Sequence, residues 1–187
     1  MSTSVHTEQP TQETLRNVIT STAEALKDNP GASDATFSVT SELTEGFLSR
    51  GKARNFDIVI DEPEGLGGTN LGANPVEYVL AALGACQEIV VKAYASVLGI
   101  EVKKVEVEAR GDLDLKGFFN VDSSVRPGFT GVEFVTTIHT EEQDEEKLAQ
   151  LKHLSDDRCP VLDIIKNKVP VNGKIVYEHL AETVAAE

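Results

Sequence analysis

The chain has 187 residues, 40% of them hydrophobic and 26% charged, and its 17 basic against 31 acidic side chains give a net charge of −14. That length suits one domain able to bury a core of its own. The negative balance repels phosphate backbones and anionic lipid, which disfavours nucleic-acid and membrane-surface binding.

Residues 1 to about 10 are polar, with neither a basic start nor an apolar run, so no signal peptide is read there. Thr11 to Lys27 carries Leu15, Val18, Ile19 and Ala23 at helical spacing, and Asp28-Asn29-Pro30-Gly31 ends it. This predicts a short amphipathic helix at the periphery. Three strand-like runs follow, Ala35 to Leu43, Phe47 to Lys52 and Ala53 to Asp61, in which Phe37, Val39, Phe56, Ile58 and Ile60 alternate with polar neighbours.

The stretch from Gly67 to Leu98 organises the chain. Asn74, Pro75 and Glu77 read as N-cap, first and third helical residues, an Asn form of the capping box. Val79, Leu83, Cys86, Val90, Tyr94 and Val97 then recur on one helical face, and Gly99 supplies a left-handed stop. Such a helix is about 36 Å long at about 1.5 Å per residue. Leu80, Ala81, Gly84 and Ala85 line its other side, which predicts that most of it is buried. Glu77, Gln87, Glu88 and Lys92 interrupt the apolar run and argue against a membrane span.

Beyond Gly99, Val102 to Asp112 and Val132 to Thr140 alternate as strands, separated by a glycine-rich aromatic loop, Leu115 to Phe129, able to cover a pocket. Glu141 to Asp157 reads as a helix with Leu148, Leu151 and Leu154 on one face, Val161 to Lys166 as a shorter one, and Val169 to Tyr177 as a closing strand pair or edge strand. The order predicts an α+β fold, antiparallel sheets packed on a long buried helix.

Few residues carry chemistry. The glycine stretch departs from both phosphate-loop patterns, and the acidic Asp61-Glu62-Pro63-Glu64 turn beside it repels phosphate. His6, His139, His153 and His179 lack metal-ligand spacing. The serines lack a nucleophile elbow. Two cysteines remain, and without an export signal they indicate a reducing compartment, the cytoplasm. On composition alone Cys86 reads as a small buried hydrophobe. Cys159, beside Arg158 and before Pro160 at a helix start, reads locally as the more acidic thiol.

The run from Gly67 to Cys86, with Asn74-Pro75, Glu77-Tyr78 and Leu83-Gly84-Ala85-Cys86, followed far along the chain by Cys159-Pro160-Val161, resembles the OsmC/Ohr family of thiol-dependent organic hydroperoxide reductases. The resemblance spans roughly residues 35 to 178. It divides the chain into an N-terminal extension at 1–34, an OsmC-like domain at 35–180 and a tail at 181–187.

The resemblance implies an intertwined homodimer with active sites at the subunit interface. It assigns Cys86 as the peroxidatic and Cys159 as the resolving cysteine. It implies reduction of an organic hydroperoxide to an alcohol through a Cys86 sulfenic acid and a Cys86–Cys159 disulfide, reopened by an external dithiol such as a lipoyl group, with no bound cofactor or metal. The family likeness further implies that an arginine on the N-terminal strands, from the partner subunit, holds the thiolate and polarises the peroxide. Arg50, in Ser49-Arg50-Gly51-Lys52, fits best and Arg54 is the alternative, which spacing does not separate. The position of the glutamate that orients this arginine is Val76 here, and Glu77 lies one residue on, about 100° round the helix. That departure sustains a rival reading, a non-catalytic redox sensor or binder of small apolar ligands on the same fold.

Overall fold

The computed structural model describes residues 9–179. The element order is α1 (Gln12–Asp28), β1 (Thr40–Glu45), β2 (Leu48–Ala53), β3 (Phe56–Ile60), α2 (Pro75–Leu98), β4 (Val102–Asp112), α3 (Leu115–Phe118), β5 (Gly131–Thr140), α4 (Glu145–Asp157) and α5 (Pro160–Lys166). The predicted tail at 181–187 and most of the polar start lie outside the described residues.

Local chemistry sets the bounds of the central helix. Glu77 N donates to Asn74 Oδ1 at 2.9 Å while Asn74 N donates to Glu77 Oε2 at 2.8 Å, closing the capping box, and Gly99 ends the helix at φ 73°. The β4–β5 hairpin lies against this helix in antiparallel register, Val105 opposite Ile138 and Ala109 opposite Phe134. Its inward residues pack on α2 and its outward ones are charged, as at Lys104, Glu106 and Arg110. Helices α4 and α5 pack on α2 as well, sharing its apolar clusters with the hairpin. Two apolar clusters run along α2, one of Val91, Ala95, Ile100, Val102 and Leu151, the other of Leu83, Val90, Cys159 and Leu162.

The N-terminal helix docks by polar contacts. Arg16 Nε donates to the Ser96 carbonyl at 2.7 Å and Gln12 Nε2 to that of Ile100 at 3.1 Å, placing a cation at the C-terminal end of α2. No residue of α1 is buried, so it is peripheral as predicted.

Asp61 fixes the loop that feeds α2. Its carboxylate is buried and accepts from Glu62 N, Thr69 N, Thr69 Oγ1 and Leu71 N at 2.6–3.2 Å. The backbone closes so tightly that a Cβ on Gly68 would sit 1.9 Å from the Glu62 carbonyl oxygen.

Several expectations are corrected. Val169–Tyr177 forms no strand: residues 168–179 carry no regular structure, and Val171 is 87% exposed. A strand needs a free sheet edge beside it, and within one chain this segment meets none. Strand β1 begins at Thr40 rather than Ala35, because β2 turns away at Ala53 just beyond the Thr40–Lys52 pair and leaves Phe37 and Val39 nothing to pair with. Helix α4 starts at Glu145, where Asp144 accepts from Glu146 N and Lys147 N, rather than at Glu141. The loop at 115–129 contains one helical turn, α3. Most of α2 is not buried either: six of its 24 residues are, and Val79, Ile89 and Val97 stay exposed. Alone among the described residues, α2 is long and apolar enough to cross a membrane, yet its packing on α1, β4, α4 and α5 is that of a core helix.

Candidate active site

The fold brings the two cysteines together. Cys86 sits midway along α2, half-buried, on the side facing α5. Cys159 is the N-cap of α5, 1% exposed, in the cluster against which Cys86 packs. Both thiols are free.

The start of α5 holds both sulfurs. Leu162 N donates to Cys159 Sγ at 3.4 Å, and the Val161 backbone lies close enough to Cys86 to act on its thiol. Pro160 at the first helical position has no N–H to satisfy and presets the turn.

Burial pushes the Cys86 thiol up from its ordinary value, the Val161 N–H pulls it down, and the neighbouring Cys159 thiol raises it again. The net direction is upward. Within one chain Cys86 is therefore held more firmly as the thiol, the less nucleophilic form.

The sequence-derived partners are scattered. Arg50 is exposed on β2, beside a cleft lined by Thr40, Glu42, Lys52 and Asp57. Arg54 occupies the β2–β3 turn at φ 58°, its guanidinium 5.0 Å from the Phe56 ring centre. Neither is among the groups that act on the Cys86 thiol. Glu77 is committed to the capping box and, nine positions before Cys86 at about 100° each, faces the opposite side of α2. Val76 is half-buried in a 170 Å³ cavity with Leu113, Leu115, Phe118 and Pro127, so the first part of the aromatic loop covers the start of α2.

Other residues came to light only in the structure. Arg126 and Phe129 line a 380 Å³ cavity together with Val132 and Ile165, two side chains that also pack on the cysteine cluster. Asp61 consumes the glycine-loop amides that an anion would need. Tyr78 Oη donates to the Val59 carbonyl at 2.7 Å and ties α2 to β3. An Asp before a Gly-rich turn is a visible signal, whereas Arg126 carried none. Among the described residues no three His, Cys, Asp or Glu side chains converge as metal ligands.

The family model described as OsmC-like protein matches residues 68–174, which spans α2, both cysteines and the β4–β5 hairpin. The fold is similar to the OsmC-like protein of Mycoplasma pneumoniae at TM-score 0.62, with 19% identity over 77% of this chain and 99% of that one. It is similar to an organic hydroperoxide resistance protein OsmC of Legionella pneumophila at 18% identity, covering 71% and 90% of the two chains with TM-score 0.51. An organic hydroperoxide resistance protein of Elizabethkingia anophelis matches at 21% identity, 71% and 89% coverage and TM-score 0.51. No curated protein is significantly similar in sequence.

Proposed function

The chain belongs to the OsmC-like protein family, and from that premise we propose that it is a cytoplasmic two-cysteine peroxidase that reduces organic hydroperoxides. The observation that supports this reading most is the meeting of Cys86 and Cys159 at the start of α5. A structural pair of cysteines has no need to share one helix N-terminus.

The cycle balances in three steps. The Cys86 thiolate attacks the distal peroxide oxygen: an S–O bond forms, the O–O bond breaks, and the alkoxide leaves as alcohol after taking a proton. The resulting sulfenic acid condenses with the Cys159 thiol, forming the S–S bond and releasing water. An external dithiol then returns two electrons by thiol–disulfide exchange and restores both thiols. A lipoyl group is one such reductant. Burial of Cys159 protects the resolving sulfur from reacting with peroxide itself, while half-buried Cys86 keeps access to substrate.

The missing cation comes from a second copy in this reading. By helical geometry Cys86 borders the exposed stripe of Val79, Ile89 and Val97, an apolar face that a partner subunit covers. Arg50 of the partner subunit then reaches the Cys86 sulfur, lowers its pKa and polarises the peroxide. Steady-state turnover of cumene hydroperoxide with a dithiol tests the assignment: Cys86→Ser abolishes it, and Arg50→Ala lowers it by about two orders of magnitude, as loss of a charge-stabilising donor does. Full activity of Cys86→Ser contradicts the proposal.

A second reading, a redox sensor without efficient turnover, draws support from the raised Cys86 thiol and from Val76 at the glutamate position. It predicts rapid stoichiometric disulfide formation with slow multiple turnover in the same assay.

A further inference from the structure

The two sulfurs meet on unequal terms. Cys159 is 1% exposed and forms one cluster with Leu83, Val90 and Leu162, closed further by Val161 and Ile165. Cys86 packs against that cluster but stays half-exposed. Its place on α2 explains the difference. Of its neighbours one turn away along the helix, Leu83 and Val90 are buried in the cluster, whereas Ala82 and Ile89 are exposed. Cys86 therefore stands on the boundary between the packed row of α2 and the open one.

Thiol–disulfide exchange depends on which sulfur the incoming thiolate can reach and on how well the other sulfur leaves. Both conditions separate these two cysteines. A thiolate bound for Cys159 has to pass through the apolar cluster that closes over it, while one bound for Cys86 comes in over Ala82 and Ile89. Burial pushes the Cys86 thiol up, which makes it the poorer leaving sulfur. Cys159 instead accepts the Leu162 N–H at 3.4 Å, a donor that meets the charge arriving on that sulfur as the bond breaks.

We propose that the external dithiol enters the cycle at Cys86 rather than Cys159, so that the sulfur attacked by peroxide also carries the mixed disulfide with the reductant. This rests on the two-cysteine cycle for the Cys86–Cys159 disulfide alone. A reductant thiolate bonds to the Cys86 sulfur, the Cys86–Cys159 bond breaks, and its electron pair goes to Cys159, which takes a proton. The second thiol of the reductant then attacks its own sulfur in the mixed disulfide. A disulfide closes within the reductant, and Cys86 leaves with the electron pair and takes a proton. This route also accounts for the choice of a dithiol. Cys159, released beside the new bond, attacks Cys86 again and expels a monothiol, whereas the second thiol of a dithiol competes from within the same molecule.

The test closes the disulfide of the full chain with diamide, so that it does not depend on peroxide. Excess 2-mercaptoethanol is added, the reaction is quenched in acid at early times, and free thiols are capped with N-ethylmaleimide before peptide mapping. Protein with mercaptoethanol on Cys86 and maleimide on Cys159 is expected to exceed the reverse pattern by about tenfold at the first quench. A second measurement needs no disulfide: the aromatic disulfide DTNB should react with reduced Cys159→Ser protein, through Cys86, about tenfold faster than with Cys86→Ser protein, through Cys159. Mercaptoethanol on Cys159, an even split from the first quench, or equal DTNB rates in the two variants would each overturn the entry point while leaving the peroxidase reading standing. Mercaptoethanol on Cys86 in a protein that shows no peroxide turnover would uphold the entry point and remove the peroxidase reading.

Discussion

At the scale of single residues, the chemistry turns on how one sulfur is made reactive. Burial and the Cys159 thiol hold Cys86 protonated, against the pull of one backbone N–H. Since only the thiolate alkylates, the iodoacetamide rate at Cys86 should keep climbing through the alkaline range in dilute monomeric protein. In the dimer we propose, concentrated protein brings a second chain's Arg50 to the sulfur and should reach its plateau at lower pH. An identical profile at both concentrations contradicts a cation supplied in trans. Asp61 behaves in the opposite sense. Its bond from the Thr69 hydroxyl, with those from the Leu71, Glu62 and Thr69 amides, holds its carboxyl below the usual value of 3.8 despite burial. A depressed carboxylate contributes stability above its unfolded pKa and loses it as pH falls through the folded one. Urea midpoints at pH 7 and pH 3 should therefore fall further for the parent than for Asp61→Asn, which starts lower at pH 7. These residues differ in how far sequence reveals them. The cysteine pair was legible through its motif, although local sequence ranked Cys159 as the more acidic thiol without knowing what faces Cys86. That Cys159 is closed and Cys86 open was not legible, because burial depends on packing by other elements.

Elements were legible where their determinants are local. Helix α2 runs from Pro75 to Leu98 as read, since its cap, its first proline and its terminal glycine all lie within the run itself. Breaking that cap is measurable: Asn74→Ala should cost about 1 kcal/mol in chemical denaturation. Glu77→Gln keeps an acceptor for the Asn74 N–H and should leave peroxide turnover within about twofold. A loss of about a hundredfold would instead give Glu77 a catalytic role. Strands fared worse for a physical reason. The Val169–Tyr177 pattern has sound β-propensity, yet the segment lies beside no sheet edge of its own chain and pairs with none. The same holds for Phe37 and Val39, which project past the end of β2. Sequence pattern reports that a segment can pair and is silent on whether a partner is present.

For the whole molecule, the unpaired features converge on a second copy. The apolar stripe of α2, the exposed Phe37 and Phe56 and the unpaired 169–177 segment are more than a monomer ordinarily leaves in water. In the intertwined homodimer we propose, the stripe and the segment become buried and paired, and each thiol pair receives a guanidinium from across the interface. Truncation after Lys168 removes no buried residue among those the structure describes, since Leu162 is the last of that set. It should leave the far-ultraviolet spectrum intact while sedimentation shifts from a dimer of 20.2 kDa chains toward monomer. A truncated protein that sediments unchanged would remove this segment from the interface.

The central claim, that peroxide oxidises Cys86 and Cys159 into one bond, has a direct measurement. Reduced protein is treated with a single equivalent of cumene hydroperoxide, alkylated, and followed by intact mass and peptide mapping. The expected product has lost two hydrogens, resists alkylation at both sulfurs, and yields a peptide linking Cys86 to Cys159. Two fully alkylated thiols, or Cys86 driven to sulfinic acid with Cys159 untouched, would contradict it.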